Sequence, residues 1–240
     1  MKCFWLLFLF FLSVAPLRAE SITYDIKKWG ISIGQATLTF AGESDFEGQR
    51  LTTILFKADG FNFYDEEKIY LDPGTLCPVV VLRDFNLNVF GNGRIREDYL
   101  PGEGKIKISK EAGGKKTMQV LEKSGATDNI YGFIYRYRKN GSFRIGEVLD
   151  VHLPTKDLKI ELAKRAVLDQ AGKRYDTFFM QSKPAKYKIW FDASDKKLPL
   201  RISGAIGLAN TVMVMTGYRP AASVNTDGRG PDKMGHLGGE

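Results

Sequence analysis

The chain has 240 residues, 43% apolar and 26% charged, with 25 Gly, 9 Pro and 2 Cys, which fits a compact folded protein and excludes collagen-like, wholly disordered and disulfide-scaffold classes. Its formal charge is +7 at pH 7, a moderate basicity that attracts anionic surfaces without naming a partner. No stretch after residue 16 reaches the roughly 20 consecutive apolar residues of a membrane-spanning helix, so no transmembrane segment is expected in the mature chain.

Residues 1–19 read as a secretory signal peptide. Met1-Lys2 gives a short positive start, Phe4 to Leu12 is an uncharged apolar run, and Ser13, Pro16 and Leu17-Arg18-Ala19 end it. Cleavage is expected after Ala19, because a cut after Ala15 would set Pro16 just past the scissile bond. The expected localisation is the periplasm, free or peripheral to a membrane. Lys2 and Arg18 leave with the leader, which lowers the formal charge from +7 to +5. Cys3 precedes the apolar run, whereas a lipid-anchored precursor carries its Cys just after one, so acylation is not expected. Cys77 then stands alone, and the fold must be held by its core rather than by a disulfide. Beside Pro78 and the Val79-Val80-Val81 run, Cys77 reads as a small buried hydrophobe.

From Ile22 onward the apolar period is two. Ile22, Tyr24 and Ile26 alternate with polar residues, as do Ala36, Leu38 and Phe40, the pattern of half-buried antiparallel strands. Gly30 and Gly34 interrupt this run and predict a turn or a bulged strand. Alternation returns at Thr52-Ile54-Phe56-Ala58, Phe85-Leu87-Val89, Ile106-Ile108, Leu158-Ile160-Leu162 and Val212-Val214. Asp72-Pro73-Gly74, Gly91-Asn92-Gly93, Pro101-Gly102, Gly113-Gly114 and Asp192 to Asp195 supply turns between them. One amphipathic helix is predicted at about residues 128–139. Thr127 or Asp128 serves as its cap, Ile130, Phe133, Ile134 and Tyr137 form its apolar stripe, and Asn140-Gly141 stops it. Such a helix amid strands packs across a sheet face or plugs an incomplete barrel. A single domain is expected over residues 20–218, followed by a disordered Gly-rich tail over 219–240.

Catalytic signatures are weak throughout. Gly30-Ile31-Ser32-Ile33-Gly34 matches the nucleophile-elbow pentapeptide, but a period-two strand follows it where that motif needs a helix. His152 reads as a strand residue on a polar face, and His236 lies in the tail. Two distant His and one Cys do not make a zinc site, so no metal is expected. Asp65-Glu66-Glu67 reads as a solvated turn or exposed strand edge, and Asp192 with Asp195 lacks the ligand count of a calcium loop. Arg94-Ile95-Arg96 and the Arg136, Arg138 and Lys139 cluster read as solvated faces, the second set by the helix C-terminus. Nucleic acid is not expected as a partner of an exported chain, and no cofactor is implied.

The chain is rich in aromatics, with 16 Phe, 10 Tyr and 3 Trp. Trp29, Phe61, Phe63, Phe85 and Trp190, with Phe90 and Phe191, are the natural candidates to line an apolar hollow; core packing explains them equally well.

The order of features resembles a known family. Its carriers are Tyr24-x-Ile26-x-x-Trp29-Gly30-Ile31-x-Ile33-Gly34-x-Ala36-x-Leu38, then Asp128-x-Ile130-x-x-x-Ile134-Tyr135-x-Tyr137-Arg138, and then Ile189-Trp190-Phe191-x-x-x-Asp195-x-x-x-Pro199-Leu200-x-Ile202. This succession resembles the exported bacterial family called domain of unknown function 3108, over nearly all of residues 22–218. The resemblance implies an antiparallel β-barrel or half-barrel around a helix, in a periplasmic or envelope protein. It brings no activity and no site residues. The acidic stretch near Asp65 and the Gly-rich tail depart from the family pattern.

These readings converge on a mainly β, non-enzymatic protein: an antiparallel curved sheet, barrel or half-barrel, with one amphipathic helix. The expected ligand is apolar or amphipathic, a lipid or glycolipid of the cell envelope. The alternative is a structural or assembly partner of another envelope protein, docking by a sheet edge and a basic helix end.

Overall fold

The computed structural model describes residues 19–87, 91–123, 125–206 and 210–221. The expected leader lies almost wholly outside them, as does the tail beyond Ala221, and so does Phe90. One antiparallel sheet takes in nearly all the rest. Its strands are β1 (Glu20–Lys28), β2 (Ile31–Phe46), β3 (Gln49–Gly60), β4 (Phe63–Leu71), β5 (Pro78–Leu87), β6 (Gly91–Leu100), β7 (Lys105–Ala112) and β8 (Lys115–Glu122). After the helix α1 (Ile130–Asn140) come β9 (Val148–Leu153), β10 (Lys156–Gln170), β11 (Lys173–Lys183), β12 (Lys188–Asp192), β13 (Pro199–Ser203) and β14 (Thr211–Arg219).

Every consecutive pair of strands forms a hairpin except one. The spatial order is β8-β7-β6-β5-β4-β3-β2-β1-β14-β13-β12-β11-β10-β9. The first and last strands therefore pair at the middle of the sheet, with Ile22 opposite Tyr218 and Ile26 opposite Met213. The break falls between β8 and β9, joined in sequence through α1. The sheet is curved and unclosed, as right-handed strand twist over so many strands requires.

Alternation decides which face is buried. Ile22, Tyr24 and Ile26 of β1, Leu38 and Phe40 of β2, Ile54 and Phe56 of β3 and Ile69 and Leu71 of β4 point into the concave side and join one continuous core. α1 lies in that concavity and buries Ile130, Tyr131, Gly132, Phe133, Ile134 and Tyr137. Its aromatics reach both halves of the sheet. Tyr131 stacks on Phe56 at 4.3 Å between ring centroids and Tyr135 on Phe40 at 4.8 Å, while Tyr137 meets Phe191 at 6.0 Å. Such pairs contribute about 0.5–1.5 kcal/mol each beyond their burial.

The helix begins two residues later than the sequence predicts. Asn129, not Thr127 or Asp128, is the cap, its Oδ1 accepting from the amides of Tyr131 at 2.9 Å and Gly132 at 3.4 Å. Asp128 is occupied elsewhere: it accepts a two-pronged pair from Arg136 at 2.5 and 2.9 Å. Across the break, the Asp128 amide donates to the His152 carbonyl at 2.6 Å, and Lys123 Nζ donates to Asp157 Oδ1 at 3.0 Å. These contacts tie the two free edges through the segment that carries the helix.

Gly30 and Gly34 have different reasons. Trp29-Gly30 forms the β1–β2 turn with φ of 52° and 85°. Gly34 stands beside a register shift opposite Ile26 and Lys27. A Cβ there would lie 2.9 Å from the Phe63 ring, so Phe63 covers the bare backbone. Ser32 sits on strand β2, where its hydroxyl hydrogen-bonds Asp25.

The acidic triplet is the main departure from expectation. Asp65-Glu66-Glu67 is neither a solvated turn nor an edge but the middle of β4, flanked by β3 and β5. Period two persists through Phe63, Asp65, Glu67, Ile69 and Leu71, all buried, so two carboxylates face the interior. Cys77 is half-buried in the turn before β5 rather than within a strand.

Candidate functional site

Hairpin direction gives the sheet two ends. At one end lie the turns at Trp29-Gly30, Phe61-Asn62, Pro154-Thr155 and Pro184-Tyr187, with Gly204 to Ile206 after β13 and Asn210 before β14. α1 points its N-terminus into the space beneath several of these turns. There a cavity of about 540 Å³ opens, well inside the range of roughly 300–1,000 Å³ typical of ligand sites. Val81, Ile95, Ile130, Leu153, Tyr187 and Ile206 give it apolar wall, whereas Glu67, Arg83, Glu97 and Asn129 give it polar wall. Lys156 at the start of β10 and Lys186 of the β11–β12 turn complete the mouth.

The polar wall follows from strand register. Glu67 lies directly opposite Arg83, Arg83 opposite Ile95, and Val81 opposite Glu97, so these inward positions on β4, β5 and β6 form one row of neighbours. Arg83 grips Asp65, which is only 1% exposed, through Nε at 2.7 Å and Nη2 at 2.6 Å. Its Nε lies 3.5 Å from Glu67 Oε1. Glu67 Oε2 accepts from Asn129 Nδ2 at 3.1 Å, and Glu97 accepts the Tyr99 hydroxyl at 2.6 Å.

Charge here does not balance: Asp65, Glu67 and Glu97 face a single guanidinium that Asp65 already holds in two bonds. Burial therefore dominates and pushes the Glu67 carboxyl up to about 7, with Asp65 adding to the rise and Arg83 opposing it. Burial likewise raises Glu97, against the pull of its Tyr99 hydrogen bond and of Arg83. The Tyr131 hydroxyl, within electrostatic reach of Glu67, Asp65 and Arg83, is buried without a hydrogen-bond partner among the described residues. The arrangement can hold a molecule with an apolar body and a hydrogen-bonding head, and it can give up or take on a proton near neutral pH.

None of the five aromatics singled out in the sequence lines this cavity. Trp29 and Phe61 stand on turns, 78% and 87% exposed. Phe63 and Phe85 are buried on the inner face: Phe63 covers Gly60 at the end of β3 and Gly34 of β2 beyond it, and Phe85 covers Gly93 of the neighbouring β6. Trp190 lies on the outer face, its ring 4.8 Å from Phe179 and beneath the Arg201 guanidinium. Phe191 is in the core against Tyr137. The residues that do line the cavity come from five strands, the helix start and three turns. One signal pointed to them: acids recurring at period two within an otherwise apolar strand.

The basic helix end is not a plain solvated face. Arg136 is bound to Asp128, and the Arg138 side chain, 7% exposed, reaches Glu20 at 2.5 Å and the Lys196 carbonyl at 2.7 Å. Asp192 organises its own turn, accepting from the Leu198 amide at 2.8 Å and the Ser194 hydroxyl at 2.8 Å. Among the described residues no three His, Cys, Asp or Glu side chains cluster as a metal site, and no helix is long and apolar enough to cross a membrane.

No family model matches the chain, and no curated protein sequence does. Among solved structures the chain is similar to a β-barrel-like protein of domain of unknown function DUF1849 from Brucella abortus, at 10% identity and a TM-score of 0.46 over 85% of this chain and 98% of that one.

Proposed function

We propose that this is an exported, non-enzymatic protein of the bacterial periplasm, akin to domain of unknown function 3108, that binds an amphipathic lipid or glycolipid of the cell envelope in the interior of its open sheet. The observation that carries the reading is the cavity of about 540 Å³ whose wall joins Ile95, Ile130, Leu153 and Ile206 to Glu67, Arg83, Glu97 and Asn129. A purely apolar ligand would leave that polar wall desolvated, at about 1–3 kcal/mol for each unpaired group. A ligand with a hydrogen-bonding head satisfies it. The leader-like N-terminus supplies the compartment in which such ligands are met.

Native mass spectrometry of protein purified from membranes tests this, with Ala205→Trp as the comparison, since Ala205 lines the cavity and an indole there fills it. The expected result is a lipid-mass adduct on the native chain that falls at least tenfold in the variant. Adducts equal in both, or none in either, would defeat the reading. A retained polypeptide in their place would favour the alternative, an assembly partner recruited along the free edge of β8, where Met118 is 73% and Val120 50% exposed.

A further inference from the structure

We propose that the mouth end of the sheet is a membrane-docking face, on which Trp29, Ile31 and Phe61 enter the interface of an anionic lipid bilayer. This concerns a surface, and it stands whether or not the cavity carries a lipid.

Two neighbouring turns build the patch. Trp29 begins the turn after β1, Ile31 begins β2, and Phe61 begins the turn after β3, with exposures of 78%, 69% and 87%. The Phe61 amide donates to the Ile33 carbonyl at 3.2 Å, which fixes the second turn against the first. The apolar groups are therefore held side by side by backbone rather than scattered on separate loops.

The backbone at Trp29 strengthens the case. Its φ of 52° lies in the left-handed region, followed by Gly30 at 85°. Consecutive left-handed residues in a two-residue hairpin turn favour Asn, Asp or Gly, and a bulky aromatic is the costly choice. Within the fold Trp29 gains little in return: its recorded partner is the Lys28 ammonium, 4.8 Å from the ring centroid. A residue both unfavourable to its turn and nearly bare to water fits a contact outside the molecule. Large rings with a polar edge, carried beside lysines, suit the boundary between headgroups and acyl chains.

Charge selects the occupant. Lys28, Lys156 and Lys186 stand at this end, and none forms an ion pair among the described residues. The acids of the same strands lie further back. Asp25 and Asp59 both pair in register with Gln35, and Asp25 is engaged by Ser32 and by Lys27 at 3.7 Å. Aromatic tips with Lys28 beside them, at an end of the sheet that also carries Lys156 and Lys186, match an apolar layer beneath anionic headgroups. In that orientation the cavity opens towards the bilayer.

The test uses protein purified from the cells that produce it, its N-terminus fixed by mass spectrometry so that a retained leader is recognised. Sedimentation with vesicles of phosphatidylethanolamine and phosphatidylglycerol is compared with phosphatidylcholine vesicles, at low and high salt. Binding is expected to prefer the anionic vesicles, to weaken with salt, and to fall at least tenfold in Trp29→Asn/Phe61→Ser, with circular dichroism unchanged. Asn is chosen because it tolerates the left-handed turn. In a Trp5→Phe/Trp190→Phe chain Trp29 is the sole tryptophan, and its emission should shift to the blue with anionic vesicles; this readout leaves the patch intact. Equal binding by the double variant, no preference for the anionic vesicles, or unshifted emission would overturn the proposal. So would a double variant that binds vesicles normally but loses self-association or a copurifying protein, which would assign the patch to a second copy or a protein partner.

Discussion

Glu67 is the residue on which the interior chemistry turns. It shares Arg83 with Asp65, and its firmest hydrogen bond is the one it accepts from the helix cap Asn129. Because burial lifts its carboxyl from an ordinary 4.5 to about 7, the folded protein holds a proton that the unfolded chain releases. The stabilisation from that proton is fully present below about 4.5 and is lost as pH rises through about 7, because over that window the native state binds more protons than the unfolded one. Glu67→Gln keeps an acceptor for Asn129 and never ionises. Its urea midpoint is therefore expected to fall less than that of the native protein between pH 5 and pH 8. Parallel profiles for the two would show that Glu67 is ionised throughout this range.

At the scale of the element, the helix cap and the acidic row are one device. In an exposed helix Asn and Asp cap about equally well, and Ala costs about 1 kcal/mol. Here Asn129 uses its oxygen on the Tyr131 and Gly132 amides and its nitrogen on Glu67. Asn129→Asp would turn that donor into a second carboxylate against Glu67. The order expected from denaturant melts at pH 8 is native, then Asn129→Ala, then Asn129→Asp, the reverse of an ordinary cap series for the last two. The sequence shows this helix because its apolar stripe is complete, but three consecutive residues, Thr127, Asp128 and Asn129, can all cap; Arg136 of the helix itself takes up Asp128, and the strand residue Glu67 holds the side-chain amide of Asn129. β1 to β3 are equally legible, since Ile22, Tyr24 and Ile26, then Ala36, Leu38 and Phe40, then Ile54, Phe56 and Ala58 each recur at every second position. β4 keeps the period but fills two inward positions with acids, so its polarity misleads. β8 shows no alternation because it is exposed on nearly every position. The cavity was the least legible part. Its lining depends on which turns converge in space, and Leu153, Tyr187 and Ile206 carry no local mark of that meeting.

For the whole molecule, the open edges set the pattern of stability. β8 pairs only with β7, whereas β1 is held on both sides by β2 and β14 and its inward residues are wholly buried. Backbone amides of residues 115–122 are therefore expected to exchange with deuterium first among the strands and those of residues 20–28 last, read by mass spectrometry of peptic fragments. Uniform protection across the sheet would mean that the edge is covered in solution. The pairing of β1 with β14 has a further consequence, for the order in which the chain assembles. Hairpins run from β1 to β8 and from β9 to β14, but the seam between the two halves joins β1 to β14, far apart in sequence. Loop-closure entropy makes that long-range contact slow, and until it forms β1 offers an unpaired, apolar edge. A nascent chain on the ribosome thus carries its most buried strand with one edge unpaired until β14 has followed it, a window in which a chaperone that masks strand edges has most to protect.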